Sequence, residues 1–220
     1  MKTALLNVSH NQEPTRINFL RILIPMKDVE TDVYNVHNLE FPDYDEIEAA
    51  LITGSADSVY EEKEHIRALK RWIRDSRDHE VSLFGVCYGH QAIADAFGGD
   101  VEPLNEREIG YREVKHSGDP LFEGVPERFT VFQSHGDEVV KPPDEAQVIA
   151  RNEVGIQGLR IGKNVTVQFH PEFEMDYARD LTKNKEDISD EKRKKVLSGI
   201  TRENYLKSLI VRRIFDNFFG

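Results

Sequence analysis

The stretch "LFGVCYGHQAIADAFGG", residues 83–99, decides the fold because it combines a buried strand, a sharp turn and a helix in immediate succession. The continuous apolar run at residues 81–86 is typical of a strand inside a parallel sheet. Apolar residues at helical spacing then predict a helix that Gly98 and Gly99 end. In the turn between them stands Cys87, the only cysteine of the chain, with a glycine two positions away on either side.

This pattern, Gly-x-Cys-x-Gly, is the cysteine counterpart of the serine nucleophile elbow. The turn is so tight that a Cβ two residues before or after Cys87 is expected to collide with neighbouring backbone. The sulfur would lie at the C-terminal edge of the sheet, beside a helix N-terminus whose partial positive charge favours a thiolate. The alternative is that Cys87 is a small buried hydrophobic residue, as most lone cysteines are. A partner base is needed to choose between them.

The candidate base lies in "VTVQFHPEFE", residues 165–174, where an apolar strand leads to His170. A thiol nucleophile needs an imidazole to move its proton, and the imidazole needs an acceptor on its other nitrogen. Glu172 follows two residues later, and residues i and i+2 of an extended segment point the same way. Cys87, His170 and Glu172 would together form a triad.

The rest of the chain alternates short apolar runs with amphipathic stretches, which is typical of a βα protein. Strands are predicted at residues 4–8, 32–36 and 49–53, and helices at 17–23 and 61–74. Past Gly99, strand-like runs with short connections predict antiparallel additions, at residues 108–115, 129–133, 147–152, 155–161 and 165–169. The long, highly charged segment 176–199 has few apolar anchors and is predicted to be helical and peripheral, as a lid, a partner surface or a solvated helix. An apolar stripe predicts a last helix over residues 205–218.

Composition limits the kinds of partner. The chain has 40 acidic and 29 basic residues and a formal net charge of −11, which disfavours nucleic acid and anionic membrane surfaces. No stretch approaches the roughly 20 apolar residues that cross a bilayer. A single cysteine forms no intramolecular disulfide, which favours a reducing compartment. We therefore expect one soluble, cytoplasmic domain.

Two motifs, "GVCYGHQ" at 85–91 and "QFHPE" at 168–172, resemble the signatures of the class I glutamine amidotransferases. The stretch "LITGSADSVYEE" at 51–62 resembles the family's oxyanion loop, and "FQSHGDEV" at 132–139 resembles a segment beside its glutamine pocket. The resemblance covers most of residues 45–175. Within the family, the chain is most similar to stand-alone domains like the glutaminase part of GMP synthetase.

The resemblance implies a flavodoxin-like doubly wound α/β fold: a mostly parallel sheet with helices on both faces and small antiparallel additions, in a single domain over residues 1–220. It implies that Cys87 is the nucleophile, His170 the general base and then acid, and Glu172 the group that orients it. Further residues are implied around these three. The oxyanion hole would use the backbone N–H of Tyr88 and one from the Gly54-Ser55 turn, and the glutamine pocket would be lined by Gln91, Ser134 and His135. In this turn a serine follows the glycine, where the family more often has two glycines.

The expected reaction is hydrolysis of the glutamine side-chain amide through a γ-glutamyl thioester, without metal or organic cofactor. The resemblance implies that the ammonia goes to a partner synthetase, as is usual for such domains in the family. The chain itself has no phosphate-binding loop of the G-x-x-x-x-G-K-[ST] type. A γ-glutamyl peptide hydrolase acting on glutathione-like substrates is one alternative. A regulatory subunit that keeps the fold without catalysis is another.

The other histidines are given no catalytic role. His90 is expected on the first turn of the helix after the elbow, as a structural or pocket-wall residue. The sequence His135-Gly136-Asp137 has no partner at clear ligand spacing, so zinc is not expected. No chemistry is assigned to the remaining five, His10, His37, His65, His79 and His116.

Overall fold

The computed structural model describes all 220 residues, Met1–Gly220. Its nine strands are β1 (Lys2–Asn7), β2 (Glu30–Asn35), β3 (Ala49–Ile52), β4 (Ser82–Val86), β5 (Asp100–His116), β6 (Arg128–Lys141), β7 (Gln147–Arg151), β8 (Ile156–Ile161) and β9 (Asn164–Val167). Its seven α-helices are α1 (Gln12–Leu23), α2 (Glu64–Asp75), α3 (Tyr88–Ala96), α4 (Met175–Asn184), α5 (Asp190–Gly199), α6 (Arg202–Ser208) and α7 (Arg213–Phe219). No helix combines the length and apolar character needed to cross a membrane.

All nine strands form one sheet, in the order β2-β1-β3-β4-β9-β8-β7-β5-β6. The first five are parallel, and counted along the chain they have the order 2-1-3-4-5 of flavodoxin-like folds. The predicted flavodoxin-like fold is therefore confirmed. The other four strands are antiparallel, and the β5–β6 hairpin makes these additions larger than the sequence predicted.

The sheet buries both faces, because successive side chains of a strand point in opposite directions. In β1, Leu5 contributes to a core cluster with Phe19 and Phe215, while the adjacent Leu6 contributes to a second cluster with Trp72. Helices α1 and α7 cover the first face, and α2 and α3 cover the second. Continuous apolar strands covered on both faces are the reason that the parallel strands could be located in the sequence.

At the C-terminal end, the predicted helical character of segment 176–199 is confirmed, but its peripheral position and the single last helix are wrong. Segment 176–199 forms two helices, because Ser189 caps a new one, its hydroxyl accepting a hydrogen bond from the Lys192 N–H at 3.2 Å. These helices are also not peripheral. They bury a third cluster against the β5–β6 hairpin, comprising Ile109, Phe132, Phe173, Ala178, Ile188, Val196 and Ile200. The predicted last helix is divided into α6, a 3-10 turn at Leu209–Arg212 and α7.

Candidate active site

The turn between β4 and α3 holds Cys87 in a strained conformation, with φ 53° and ψ −104°. Residues other than glycine rarely adopt a positive φ, and such strain is concentrated at functional sites. The glycines on either side permit the turn. A Cβ on Gly85 would lie 2.4 Å from the Gly89 carbonyl oxygen, and a Cβ on Gly89 would lie 2.3 Å from that of Ile52. The backbone collision expected from the sequence is therefore present at both positions.

His170 lies just beyond β9, where its N–H donates a hydrogen bond to the Phe132 carbonyl at 2.9 Å. Its Nδ1 lies 2.7 Å from Oε1 of Glu172, and both side chains are almost completely buried. The ring of Phe173 stacks on the imidazole, with centroids 4.0 Å apart and planes 19° apart. One hydrogen bond and one stacked ring thus hold the imidazole in a single orientation.

The sulfur of Cys87 and the imidazole of His170 both lie close to Gly54, in the loop after β3. A Cβ built on Gly54 would lie 3.2 Å from Cε1 of His170 and 3.9 Å from Sγ of Cys87. The sulfur also lies 3.8 Å from the Ser134 carbonyl oxygen. The structure therefore brings together the three residues predicted as a triad, although they come from the β4–α3 turn and from the chain after β9.

Electrostatics at this point favour a positive charge on the imidazole. Burial lowers the pKa of His170, but the charges of Glu172 and Cys87 and hydrogen bonds to both outweigh burial and raise the pKa to about 10. A protonated imidazole beside the sulfur stabilises a thiolate. Such a pair can supply a nucleophile and a proton donor.

Backbone N–H groups also lie near the sulfur of Cys87 and the imidazole of His170. The N–H groups of Gly54 and Ser55 donate to no acceptor in the chain. Tyr88 is the first residue of α3, and amides in the first turn of a helix have no acceptor within it. The Tyr88 side chain is buried in the second core cluster, so only its backbone N–H can contribute to the site. Amides in this arrangement can stabilise an oxyanion.

A cavity of about 780 Å³ opens in front of the sulfur and is lined by Cys87, His170, Glu172 and the 54–58 loop. The residues predicted for the glutamine pocket all line it. Gln91 donates to the Asp137 carbonyl and to Oε1 of Gln168, both at 3.0 Å. His135 is fixed inside the wall, with Nε2 2.8 Å from Oε2 of the buried Glu108.

Sequence reasoning missed the wall formed by α4 and the residues after it. Tyr177, Leu181 and Lys185 line the cavity, opposite Arg107 of β5. Burial and the neighbouring Arg107 charge lower the pKa of Lys185. The i, i+4 spacing of Tyr177 and Leu181 indicates one face of a helix, but the many charged residues around them made the segment resemble a solvent-exposed helix.

His90 lies in the core and does not line the cavity. Its Nδ1 lies 2.7 Å from the Thr166 hydroxyl, and burial lowers its pKa to about 3. Of the two roles expected for it, the structural one fits its position. One group of side chains has ligand atoms close enough to hold a metal ion: His10, His37 and Asp57.

Comparison with known proteins agrees with this geometry. The family model of class-I glutamine amidotransferases matches residues 18–185. The chain is 38% identical over 132 residues to the glutamine-hydrolyzing GMP synthase of Thermosipho melanesiensis, covering 56% of this chain and 24% of that protein. It is 36% identical over 156 residues to the corresponding enzyme of Thermotoga maritima, covering 68% of this chain and 30% of that protein. The chain thus matches less than a third of either relative.

Solved structures show the same fold. A glutamine amidotransferase from Thermotoga maritima superposes with a TM-score of 0.77 at 24% identity, covering 99% of this chain and 96% of that one. Another from Methylobacillus flagellatus has a TM-score of 0.83 at 17% identity, covering 99% and 94%. The protein belongs to the class I glutamine amidotransferase family, and it is homologous to the glutaminase domains of GMP synthases.

Proposed function

We propose that the protein hydrolyses the side-chain amide of glutamine through a γ-glutamyl thioester on Cys87 and supplies the ammonia to a partner synthetase. One observation carries this proposal. The sulfur of Cys87, the imidazole of His170 and the unpaired N–H groups of the Gly54-Ser55 turn meet at one point in the wall of a cavity. Acyl transfer needs these three components together.

In the first half of the reaction, the thiolate of Cys87 attacks the amide carbon and forms a C–S bond. The carbonyl electrons move to oxygen, where the N–H groups of Tyr88 and of the Gly54-Ser55 turn stabilise the negative charge. His170 donates its proton to the amide nitrogen. The C–N bond then breaks, ammonia leaves and the thioester remains.

In the second half, the neutral His170 takes a proton from water, whose oxygen attacks the thioester carbon. The C–S bond breaks, glutamate leaves and the thiolate is restored beside a protonated imidazole. Glu172 has its role here, because its carboxylate 2.7 Å from Nδ1 holds the ring and stabilises the positive charge that forms. Gln91, Ser134 and His135 are proposed to position the substrate in the cavity.

The partner is proposed from the relatives. Both are named as glutamine-hydrolyzing GMP synthases, and the chain matches 24% and 30% of their lengths. We therefore propose that residues 1–220 act as one glutaminase domain and that a separate synthetase region consumes the ammonia. A single thiol that must stay reduced fits the cytoplasm.

The cavity supports a second candidate function, hydrolysis of γ-glutamyl peptides. Its volume of about 780 Å³ lies within the range of roughly 300–1,000 Å³ that holds drug-sized ligands, so a glutathione-like molecule has room. The chemistry is the same, with a peptide amine leaving in place of ammonia.

The test measures glutamate released from glutamine and from glutathione, and ammonia released from glutamine. Cys87→Ala and His170→Asn should each abolish the activity. His79→Asn is the matched control because it removes an imidazole from the surface, 3.6 Å from Asp45 and outside the cavity. It should leave the rates unchanged.

Each outcome has a distinct meaning. Ammonia from glutamine that depends on Cys87 supports the amidotransferase. Faster glutamate release from glutathione than from glutamine favours the peptidase. No release from either substrate, with or without a synthetase partner, would contradict both and leave the regulatory subunit.

A further inference from the structure

Three histidines from separate parts of the chain pack against one another, with tilted rings, beside the candidate active site. His10 follows β1, His37 lies in the turn after β2, and His65 is in α2. The ring centroids of His10 and His37 are 4.5 Å apart, and those of His37 and His65 are 4.3 Å apart. None of them takes part in the proposed reaction, so the cluster needs its own explanation.

The cluster surrounds the carboxylate of Asp57, which is only 6% exposed. Its Oδ1 lies 2.8 Å from Nε2 of His10, and its Oδ2 lies 2.9 Å from Nε2 of His65. These two contacts hold the Asp57 carboxylate in a fixed position, as a metal ligand must be.

His37 has the arrangement of a ligating imidazole. Its Nε2 lies 2.9 Å from the Val8 carbonyl oxygen, and because a carbonyl only accepts, this nitrogen carries the proton. The Nδ1 lone pair remains free. Metal-binding histidines commonly donate their other N–H to a backbone carbonyl in this way.

We propose that His10, His37 and Asp57 form a binding site for a divalent transition-metal ion, with Zn²⁺ as the best fit. One ligand atom from each residue lies within 4.8 Å of the others. Zinc binds imidazole nitrogen and carboxylate oxygen at about 2.0–2.2 Å, so side-chain movements of about 1 Å close this set around an ion. Two imidazoles and one carboxylate suit Zn²⁺, Ni²⁺ or Cu²⁺ better than Mg²⁺ or Ca²⁺.

Lys63 competes for the same carboxylate. Its Nζ lies 2.6 Å from Oδ1 of Asp57 and 2.7 Å from Oε2 of Glu61, and its side chain is 41% exposed. An ion that binds Asp57 displaces this flexible ammonium, while Glu61 can keep it nearby. Removal of the Lys63 charge should therefore strengthen metal binding.

The site is also joined to the proposed oxyanion loop. The Asp57 N–H donates to the Ser55 hydroxyl at 3.2 Å, and His10 lines the cavity together with the 54–58 loop. An ion on Asp57 would thus lie in the wall of the substrate cavity.

The experiment is calorimetric titration of the full chain with Zn²⁺, independent of catalysis. The chain carries Cys87→Ala throughout, because the thiol and His170 can themselves bind zinc. We expect one ion per chain. In this background His37→Asn and His10→Asn should each weaken binding about tenfold or more, and Lys63→Met should tighten it severalfold. His79→Asn, which removes a histidine outside the cluster, should change nothing.

His10 is 52% exposed on its side chain, so its replacement leaves the fold intact and keeps the test valid if His37→Asn unfolds the chain. Absence of one-to-one binding would overturn the proposal. Binding that survives His10→Asn unchanged, or that His79→Asn weakens equally, would overturn it as well.

Discussion

Replacement of Glu172 by glutamine tests the proposed second half of the reaction. The change keeps the size of the side chain and an oxygen able to accept from Nδ1 of His170, but removes a charge 2.7 Å from that nitrogen. During thioester hydrolysis the sulfur carries no charge. Glu172 is then the group that stabilises the imidazolium formed as water loses its proton.

The size of the effect follows from the pKa of His170. Burial lowers this pKa, yet it is raised to about 10, and Glu172 is the largest cause that raises it. The difference from the ordinary pKa of 6.5 corresponds to a stabilisation of the protonated imidazole by about 5 kcal/mol, at about 1.4 kcal/mol per pKa unit. If Glu172 supplies about 2 kcal/mol of this, its loss slows thioester hydrolysis about 30-fold.

Glu172→Gln should therefore lower kcat for glutamine at pH 7.5 by about 30-fold, and a γ-glutamyl adduct on Cys87 should accumulate in mass spectra. The matched control is Glu174→Gln, because Glu174 is a partly buried carboxylate paired with Arg212 at 3.0 Å and lies outside the cavity. Turnover by Glu172→Gln within threefold of the unmodified enzyme would refute the reasoning. An equal loss in Glu174→Gln would refute it too.

Three further predictions follow. Gly54→Ala places a Cβ 3.2 Å from the imidazole of His170 and should lower kcat about tenfold with an unchanged melting temperature, whereas Gly199→Ala, with open space at its Cβ, should change neither quantity. Arg160→Met removes the guanidinium 2.6 Å from the Asp119 carboxylate and leaves it only the Leu121 N–H, and urea unfolding should show a loss of about 2 kcal/mol. Burial lowers the pKa of His90 to about 3, so below pH 6.5 the unfolded chain takes up a proton that the folded chain does not. Unfolding free energy should fall by about 1 kcal/mol from this residue between pH 6.5 and 5.5, and His90→Gln should remove that part of the decrease. Equal pH dependence in His90→Gln and the unmodified chain would contradict the last prediction.

The elbow and the His170–Glu172 contact could be predicted because their constraints are local in sequence. Gly85 and Gly89 flank Cys87 within five residues, and Glu172 reaches His170 from two residues away. The parallel strands were also predictable, because burial on both faces leaves continuous apolar runs. Pairing across the sheet then brings Cys87 to His170, since β4 lies beside β9.

The long β5–β6 hairpin and the histidine cluster could not be predicted in this way. The start of β5, at residues 100–107, contains charged residues and Pro103, and its register with β6 shifts between Pro103 and Glu108. Its strand character comes from a partner more than 30 residues away. His10, His37 and His65 likewise lie far apart in sequence, and only the strand order brings the ends of β1 and β2 together.

The charged segment 176–199 shows why composition misleads at this site. A high charge content predicts solvent exposure. Some of these charged side chains instead donate hydrogen bonds to backbone carbonyls at the end of a helix, which have no hydrogen-bond partner within the helix. Nη1 of Arg193 in α5 donates to the carbonyls of Thr182, Lys183 and Lys185, at 3.0, 2.9 and 2.6 Å. One guanidinium therefore caps the C-terminal end of α4, where a cation is favoured by the helix dipole. Because α4 supplies Tyr177 to the cavity wall, Arg193 belongs to the construction of the site, although nothing in its sequence neighbourhood distinguishes it from a solvated arginine.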